Sequence, residues 1–135
     1  MNIRSFRLGD YAEITSIWKE TGLEQTETES LDALAKQLAW DSELVLIAED
    51  HDRVVGVIVG TIDGTRAYFY RLAVDPEYQK KGIGTQLVKA LEKRFEEKGA
   101  SRVFIMVNQD NEKVIPFYQE LGYEIEHYIT LSKKL

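Results

Sequence analysis

The stretch "QKKGIGTQL", residues 79–87, places two lysines and two glycines at the start of a run with the periodicity of an amphipathic helix. The apolar residues of that run form one stripe at helical spacing: Ile83, Leu87, Val88, Leu91 and Phe95. Gly82 and Gly84 therefore lie in the first turn of the helix. The first N–H groups of a helix have no intrahelical acceptor and carry partial positive charge, and glycine lets a ligand approach them closely. This stretch indicates an anion site, with phosphate as the natural occupant.

Other interpretations of the two glycines have to be weighed against this one. A tight turn with no ligand fits the same pair of residues. A dinucleotide fingerprint needs a third glycine where Leu87 stands, and a P-loop needs a Gly-Lys-Ser/Thr ending that is absent. If the stretch binds phosphate, it does so by some other scheme.

The size and composition of the chain favour one small soluble domain. At 135 residues the chain is long enough to bury about two-thirds of its unfolded surface, so we expect a single domain over residues 1–135. No apolar run approaches the roughly 20 residues needed to span a bilayer, and the segment "MNIRSFRLGD" lacks the apolar centre of a signal peptide. We therefore expect a cytoplasmic protein that does not bind membranes.

Cysteine content and net charge narrow the classes of chemistry. The chain has no cysteine, which excludes disulfides, thiolate metal sites and an acyl-cysteine intermediate. Any group transfer must then be direct or use another nucleophile, and we expect no metal. The formal net charge of −6 argues against broad contact with nucleic acid and weakly favours cationic substrates. The composition and charge of the chain are compatible with a homodimer.

Helical and β-type patterns alternate along the chain in the order βααβββαβαββ. Three runs rich in β-branched and aromatic residues predict consecutive antiparallel strands, joined by polar turns at His51–Asp52 and Asp63–Thr65. Asp75-Pro76 ends the third strand. After Gly122 the tail alternates apolar and polar residues, which predicts one or two half-solvated strands. The order is typical of an α+β fold: a mixed, mostly antiparallel sheet with helices on both faces.

Two segments carry a resemblance to a known family. "VDPEYQKKGIGTQLV", residues 74–88, is similar to the acetyl-CoA signature Q/R-x-x-G-x-G/A of the GNAT superfamily of N-acetyltransferases. "VNQDNEKVIPFYQELGY", residues 107–123, resembles the second signature of that family, through Asn111, Tyr118, Leu121, Gly122 and Tyr123. The two signatures stand at family spacing within the family's order of elements. The chain resembles most the small stand-alone bacterial members whose substrate is unassigned.

The resemblance implies the GNAT fold and direct transfer of an acetyl group from acetyl-CoA to a primary amine of a small molecule, peptide or protein. The pyrophosphate of coenzyme A would bind a backbone cradle with flanking side chains at Gln79, Lys80, Lys81, Gly82, Ile83, Gly84 and Thr85. The pantetheine arm would bind the main chain of Leu72, Ala73 and Val74 and contact the Asn111 side chain. Each lysine is also compatible with a solvated surface position, and Asn111 with a helix cap. Because Pro116 lacks an N–H, we expect the helix to begin near Ile115 and the backbone around Asn111 to be irregular.

For catalysis the resemblance implies a general acid at Tyr118, which would protonate the departing thiolate. The alternative role for Tyr118 is core packing beside Phe117. The general base is not visible. A subfamily that acetylates ribosomal-protein alanine uses a glutamate at the position of Met106, and methionine cannot accept a proton. The remaining candidates are a water relay, the substrate itself, Glu49, Glu124 and Glu126. A catalytically idle acyl-CoA-binding or sensor domain is therefore the alternative function.

Residues for the acceptor are expected near the first helix and the strand before the glycine loop: Trp18, Tyr70 and Arg71. Tyr70 is predicted to share a strand face with Tyr68 and Leu72, and Arg71 to lie on the opposite face. A cation in a buried strand needs a partner, and a substrate carboxylate is one candidate. The acidic connector "LEQTETES", residues 23–30, would attract an amine or simply be solvated.

Overall fold

A computed structural model describes residues 1–23 and 31–135, and its contacts divide the chain into two compact units, Met1–Ile105 and Met106–Leu135. The first unit contains helices α1 (Tyr11–Glu20), α2 (Leu31–Trp40) and α3 (Ile83–Glu97), with strands β1 (Asn2–Ser5), β2 (Val45–Asp50), β3 (Arg53–Asp63), β4 (Arg66–Val74) and β5 (Arg102–Phe104). The second unit contains a 3-10 helix (Gln109–Val114) followed by α4 (Ile115–Glu120). Within the described ranges no helix is long and apolar enough to cross a membrane.

The five strands form one sheet in the order β1-β2-β3-β4-β5. The first three pairings are antiparallel, and only β4 and β5, which α3 connects, run parallel. Both expected hairpin turns are present: His51 and Asp52 have φ of 50° and 62°, and Gly64 has φ of 64°. Positive φ at the turn residues matches the twist of the flanking strands. The predicted mixed, mostly antiparallel α+β fold is confirmed.

Helices α1 and α3 cover opposite faces of the sheet. On one face Ile14, Ile17 and Trp18 of α1 pack in a buried cluster with Val57 and Val59 of β3. On the other face the stripe predicted for α3 is fully buried. It lies over the alternate residues of β3, which include Gly56 and Gly60. The prediction of helices on both faces is therefore confirmed.

The close approach of α3 to the sheet depends on these two glycines. A Cβ atom on Gly60 would lie 2.7 Å from Cζ of Phe95 and 3.2 Å from the Leu44 carbonyl oxygen. A Cβ atom on Gly56 would lie 3.0 Å from Cδ1 of Leu87. A side chain at either position would push the helix outward, so the missing side chains fix how near α3 lies to β3.

Polar contacts hold the carboxyl end of α3 against the first half of the chain. One guanidinium nitrogen of Arg94 donates to Oγ of Ser5 and to the carbonyl oxygen of Glu43, both at 2.8 Å. Lys98 forms ion pairs of 2.9 Å with Asp41 and 3.1 Å with Glu43. The position of α3 on the sheet is therefore fixed by packing along its length and by these polar contacts at its carboxyl end.

In the second unit, α4 begins at Ile115 with Pro116 in its first turn, as the sequence predicts. The predicted tail strands are wrong: residues 123–135 have no regular secondary structure. The apolar residues of their alternation after Tyr123 are exposed, with Ile125 at 60% and Ile129 at 89%. Alternation marks an extended amphipathic segment, but a strand also needs a neighbouring strand to bond to. The five-stranded sheet of the described residues includes no part of the tail.

Gly60→Ala should lower the free energy of unfolding by about 1–3 kcal/mol, because the new methyl group overlaps Phe95 and a backbone carbonyl. Gly9→Ala is the matched control, since a Cβ there meets nothing within 4 Å and should change stability by less than about 0.5 kcal/mol. Urea unfolding of the three proteins measures both. Equal midpoints for Gly60→Ala and the wild type would show that α3 does not need this close approach.

Candidate active site

The amino end of α3 faces open space. Gly82 caps the helix in the left-handed conformation, with φ of 82° and ψ of 8°, and a Cβ placed on it would meet no protein atom within 4 Å. The helix that follows is 15 residues long, so its first N–H groups and its dipole both point into this opening. The geometry has what an anion site requires. Gly82 is exposed, while Ile83 is buried and anchors the first turn in the core.

Two exposed lysines directly precede this opening in the chain. Lys80 and Lys81 are both exposed, and Lys80 has φ of 64°, which turns the chain sharply before the helix. Nζ of Lys81 lies 5.1 Å from the ring centre of Tyr78, at a distance typical of a cation–π contact. Because both side chains are in solvent, an anion can reach either lysine without any change in the core. The charge of the loop adds to that of the helix terminus.

The turn that leads from β4 into this loop is fixed by the carboxylate of Asp75, whose capping role the sequence analysis does not predict. Asp75 is buried; its Oδ1 accepts a hydrogen bond of 3.0 Å from the N–H of Glu77 and so caps the 3-10 turn Pro76–Tyr78. Its own N–H donates to the carbonyl oxygen of Val55 at 2.8 Å. Asp before Pro is a helix-start signal, so the sequence contained this information.

Gln79 holds the far side of the same turn. Its side-chain amide donates a hydrogen bond of 3.0 Å to the carbonyl oxygen of Val74. The glutamine of the first signature therefore bonds back to the end of β4. Together with Asp75, this contact ties the glycine loop to the sheet.

Strand β4 contains a β-bulge. Val57 pairs with Ala73, but Val59 pairs with Tyr70, so Arg71 and Leu72 both stand opposite one residue of β3. Arg71 has φ of 57°, an uncommon conformation for a residue other than glycine. Tyr70 and Ala73 consequently reach the same buried cluster, although strict alternation would separate them.

The bulge corrects the predicted position of Arg71. Its guanidinium carbon lies 5.1 Å from the centre of the Trp18 ring, and Trp18 belongs to the same cluster as Tyr70. The prediction that Arg71 lies on the opposite face from Tyr70 is therefore wrong, because the inserted residue resets the alternation. The indole N–H of Trp18 also donates to the carbonyl oxygen of Arg71 at 3.2 Å. Trp18 is 1% exposed, so substrate would contact this pair through Arg71.

Registered pairing between the two parallel strands ends before the bulge. The registered pairs of β4 with β5 end at Tyr68–Phe104, where β5 itself ends, while β4 continues to Val74. Leu72, Ala73 and Val74 thus lie beyond the end of β5 and directly before the glycine loop. The first unit therefore places the part of β4 beyond the end of β5 and the open helix terminus next to each other in the chain.

The second unit contains the other two predicted site residues. Tyr118 lies on α4 and makes edge-to-face contacts with Phe117 and Tyr123, with ring centres 5.1 and 6.2 Å away. Burial raises the pKa of Tyr118 above its ordinary value of 10.0. Asn111 interrupts the 3-10 helix with φ of −120° and ψ of 29°, as expected. The helix cap is Asn108, whose side chain accepts from the N–H of Asp110, so the capping role considered for Asn111 is wrong.

The structure removes one candidate for the general base. Glu49 is bound to Arg4, with contacts of 3.0 and 3.2 Å, and Arg4 also binds both carboxylate oxygens of Asp10 at 2.9 Å. Burial works to raise the pKa of Asp10, but the hydrogen bonds from Arg4 and Arg7 outweigh it and hold that pKa below its ordinary value. This network joins β1 to β2 and occupies Glu49.

Glu124 and Glu126, the other candidate carboxylates, are exposed, as is Met106 at 79%. Residues 24–30 of the acidic connector lie outside the described residues.

Comparison with known proteins identifies the family. The model of the acetyltransferase (GNAT) family matches residues 11–123. The chain belongs to the GNAT family. An acetyltransferase of Pectobacterium atrosepticum is 34% identical over 135 residues, which cover 100% of this chain and 96% of that protein. An acetyltransferase of Yersinia pestis is 35% identical with the same coverage.

Solved GNAT structures show the same fold. The chain aligns with Ard1 from Thermoplasma volcanium at a TM-score of 0.82 and 25% identity, covering 93% of this chain and 83% of that one. It aligns with the PaiA N-acetyltransferase from Thermoplasma acidophilum, solved in complex with coenzyme A, at a TM-score of 0.81 and 23% identity. That alignment covers 95% of this chain and 92% of the other. The family match makes this GNAT protein an enzyme of the acyltransferase class.

Asp75→Ala should lower the free energy of unfolding by about 1 kcal/mol, because the cap on the 3-10 turn is lost. Asp75→Asn should stay close to the wild type, since an amide oxygen also accepts the Glu77 N–H. The charge itself contributes little, because its ion pair with Arg53 is 3.7 Å long and Arg53 is 58% exposed. Thermal unfolding of both variants tests this. A loss in Asp75→Asn as large as that in Asp75→Ala would show that the charge, and not the cap, stabilises the turn.

Proposed function

We propose that this GNAT protein transfers an acetyl group from acetyl-CoA directly to a primary amine. The observation that carries the proposal is the open, glycine-capped amino end of α3, which follows the part of β4 that extends past its last registered pair with β5. The solved PaiA enzyme, which has the same fold, supports it, because that structure contains coenzyme A. The names of the curated relatives support acetyl transfer as the reaction.

In this proposal the diphosphate of coenzyme A binds the first turn of α3. Its oxygens would accept hydrogen bonds from the N–H groups between Lys80 and Thr85, where the helix dipole also favours negative charge. Because a Cβ on Gly82 would enter open space, a glycine there leaves room for the phosphate oxygens. Lys80 and Lys81 would add charge at the rim, and Gln79 and Asp75 would hold the loop in place.

The pantetheine arm would lie along the end of β4. Its two amides can bond to main-chain groups of Leu72, Ala73 and Val74, as an added strand would. The early end of β5 makes this arrangement possible, since registered pairing with β4 stops at Tyr68. An N–H near Val74 would polarise the thioester carbonyl as the amine attacks. The side chains of these residues can serve the core at the same time, because this binding uses only the main chain.

The proton for the departing thiolate would come from Tyr118. A general acid must be protonated at working pH, and burial raises the pKa of this phenol, so it remains protonated through the neutral range. Asn111, in its irregular backbone, would contact the pantetheine arm. We propose that both units function as one GNAT domain, which the family match across residues 11–123 supports. With no cysteine for an acyl-enzyme, donor and acceptor would bind together before transfer.

Thiol release from acetyl-CoA with a panel of amines tests the reaction, and calorimetry with coenzyme A tests the binding. The proposal expects micromolar binding and amine-dependent thiol release, with initial-rate plots that intersect. Binding without release for any amine would contradict the transferase and favour an acyl-CoA sensor. The sensor remains the alternative because Glu49, one candidate for the general base, is bound to Arg4.

Gly82→Asp should weaken coenzyme A binding at least about tenfold, because a carboxylate would occupy the position of the pyrophosphate and repel it. Gly99→Asp is the matched control: Gly99 also has positive φ, 92° against 82°, and open space around it, but it follows the other end of α3. Calorimetry on the folded variants gives both affinities. Unchanged affinity in Gly82→Asp, or an equal loss in Gly99→Asp, would show that the helix terminus is not the site.

Tyr118→Phe should lower kcat by about 10²–10⁴-fold while coenzyme A affinity changes little, because proton donation matters mainly in the transition state. Tyr123→Phe is the control, since it removes a hydroxyl from the ring packed against Tyr118. Wild-type kcat should show no loss from Tyr118 ionisation up to about pH 9, because its pKa lies above 10.0. Rates are measured where acetyl transfer limits turnover. An unchanged kcat in Tyr118→Phe would make water the proton source.

A further inference from the structure

The bulge in β4 decides which main-chain groups at the end of the strand point away from β3. Successive residues of an antiparallel strand direct their N–H and C=O groups alternately to the two sides. Before the bulge, odd-numbered residues face the side of β5, since the Thr65 carbonyl oxygen accepts the Ser101 N–H at 2.8 Å. After the bulge, odd-numbered Asp75 faces β3, because its N–H donates to the Val55 carbonyl oxygen. The inserted residue has therefore exchanged the odd-numbered and even-numbered positions.

This exchange gives Val74 its orientation. Its N–H and C=O groups point away from β3, to the side on which β5 pairs with the start of β4. The C=O group accepts from the side chain of Gln79 at 3.0 Å, and the N–H is the donor assigned to the thioester carbonyl in the proposed function. Without the inserted residue, Ala73 would face that side and the Val74 N–H would face β3.

Trp18 holds the bulge from one face of the sheet. Arg71, within the bulge, has φ of 57°, which is unfavourable for a residue with a Cβ atom and persists only where the surroundings fix it. The indole N–H of Trp18 donates to the Arg71 carbonyl oxygen at 3.2 Å. Because Trp18 lies on α1, which covers this face, the bond directs the carbonyl out of the plane of the sheet. The contact is to the main chain, so it does not depend on what the Arg71 guanidinium binds.

The surroundings of Trp18 make it a rigid support. Its side chain is 1% exposed and belongs to a buried cluster with Ile14, Ile17 and Val57. Val57 is also the β3 residue that pairs with Ala73, on the far side of the bulge. A side chain so deeply buried acts on a ligand through the strand and not by direct contact.

We propose that Trp18 is a positioning residue for acetyl transfer. Its indole N–H holds the Arg71 carbonyl, keeps the inserted residue at this point of β4, and so directs the Val74 N–H to the thioester oxygen. This inference rests on the proposed function, because it needs the thioester to lie at Val74. Without the indole N–H the bulge can relax or move along the strand, and a shift of one residue would turn the Val74 N–H towards β3.

The orientation of this N–H matters most while the bonds change. As the amine nitrogen bonds to the thioester carbon, the carbonyl oxygen gains negative charge and its hydrogen bond from Val74 strengthens. The carbonyl then re-forms as the C–S bond breaks. The thiolate takes up a proton, and the nitrogen releases one to solvent. The diphosphate site on α3 takes no part in these steps, so a displaced bulge should affect transfer more than coenzyme A binding.

One amide signal reports on Val74 alone. Ala73–Val74 is the only Ala-Val pair in the sequence, so protein with ¹³C at alanine carbonyls and ¹⁵N in valine gives a single carbonyl-selected amide signal. The signal is compared with saturating coenzyme A and with saturating acetyl-CoA, in the absence of acceptor, because only acetyl-CoA has the thioester carbonyl. In the wild type, acetyl-CoA should move the Val74 proton further downfield than coenzyme A does, by more than the line width.

Two changes at position 18 remove the indole N–H. Trp18→Phe also shortens the ring, whereas a tryptophan analogue with sulfur in place of the ring N–H, incorporated at position 18, keeps its size and so its packing. Ile17→Val is the matched control, because it loosens the same cluster from the same helix without a hydrogen-bonding side chain. Each change at position 18 should abolish the difference between the two ligands at Val74 and lower kcat about tenfold or more, with coenzyme A affinity close to that of the wild type. Ile17→Val should lower the melting temperature and leave kcat and the Val74 difference intact.

The outcomes separate this inference from the proposed function. If coenzyme A does not bind the wild type, or no amine releases thiol, the proposed function fails. If the wild type binds and turns over but Val74 does not distinguish the two ligands, the inference is overturned and acetyl transfer stands. Variants without the indole N–H that keep both kcat and the Val74 difference also overturn it. An equal loss of kcat in Ile17→Val does the same, since packing and not the hydrogen bond would then be what the reaction needs.

Discussion

The contact between α3 and β3 at two glycines is the constraint on which the candidate site depends. Gly56 and Gly60 let the apolar stripe of α3 lie so close to the sheet that an added Cβ at Gly60 would come within 2.7 Å of Phe95. This packing, with Arg94 and Lys98 at the far end, sets where the helix begins. The helix dipole and the first N–H groups then point into open space at Gly82. A site made of backbone groups is only as well defined as the element that carries them, and here that element is held along its whole length.

The second constraint is the inserted residue in β4. It lies just before the last residues of the strand, brings Arg71 over Trp18, and follows the last registered pair of β4 with β5. One local irregularity thus shapes the main-chain segment that we propose binds the pantetheine arm, and it places Arg71 directly before that segment. Asp75 and Gln79 transmit the geometry of the strand end to the glycine loop. The four residues 75–78 therefore link the two halves of the proposed coenzyme A site, which are the end of β4 and the glycine loop.

Features set by local chemistry were predictable from the sequence. The stripe and glycines of α3, the two hairpin turns and the start of α4 at Ile115 follow from periodicity, positive φ and the missing N–H of proline. Features set by residues distant in the sequence could not be predicted from it. The face of Arg71 depends on a register shift against β3, and the tail alternates like a strand although no strand pairs with it among the described residues. Asp75 was readable as a cap, but its burial depends on the fold.

Hydrogen exchange with and without coenzyme A tests the central claim most directly, because it reports on backbone N–H groups one segment at a time. The account predicts that coenzyme A slows exchange most strongly at residues 80–85 and 72–74, beyond any uniform stabilisation of the first unit. Segments far from the site, such as the hairpin turn at His51–Asp52, should change little. Binding that leaves residues 80–85 unprotected, while slowing exchange elsewhere, would contradict the account, since the anion would then not lie at the amino end of α3.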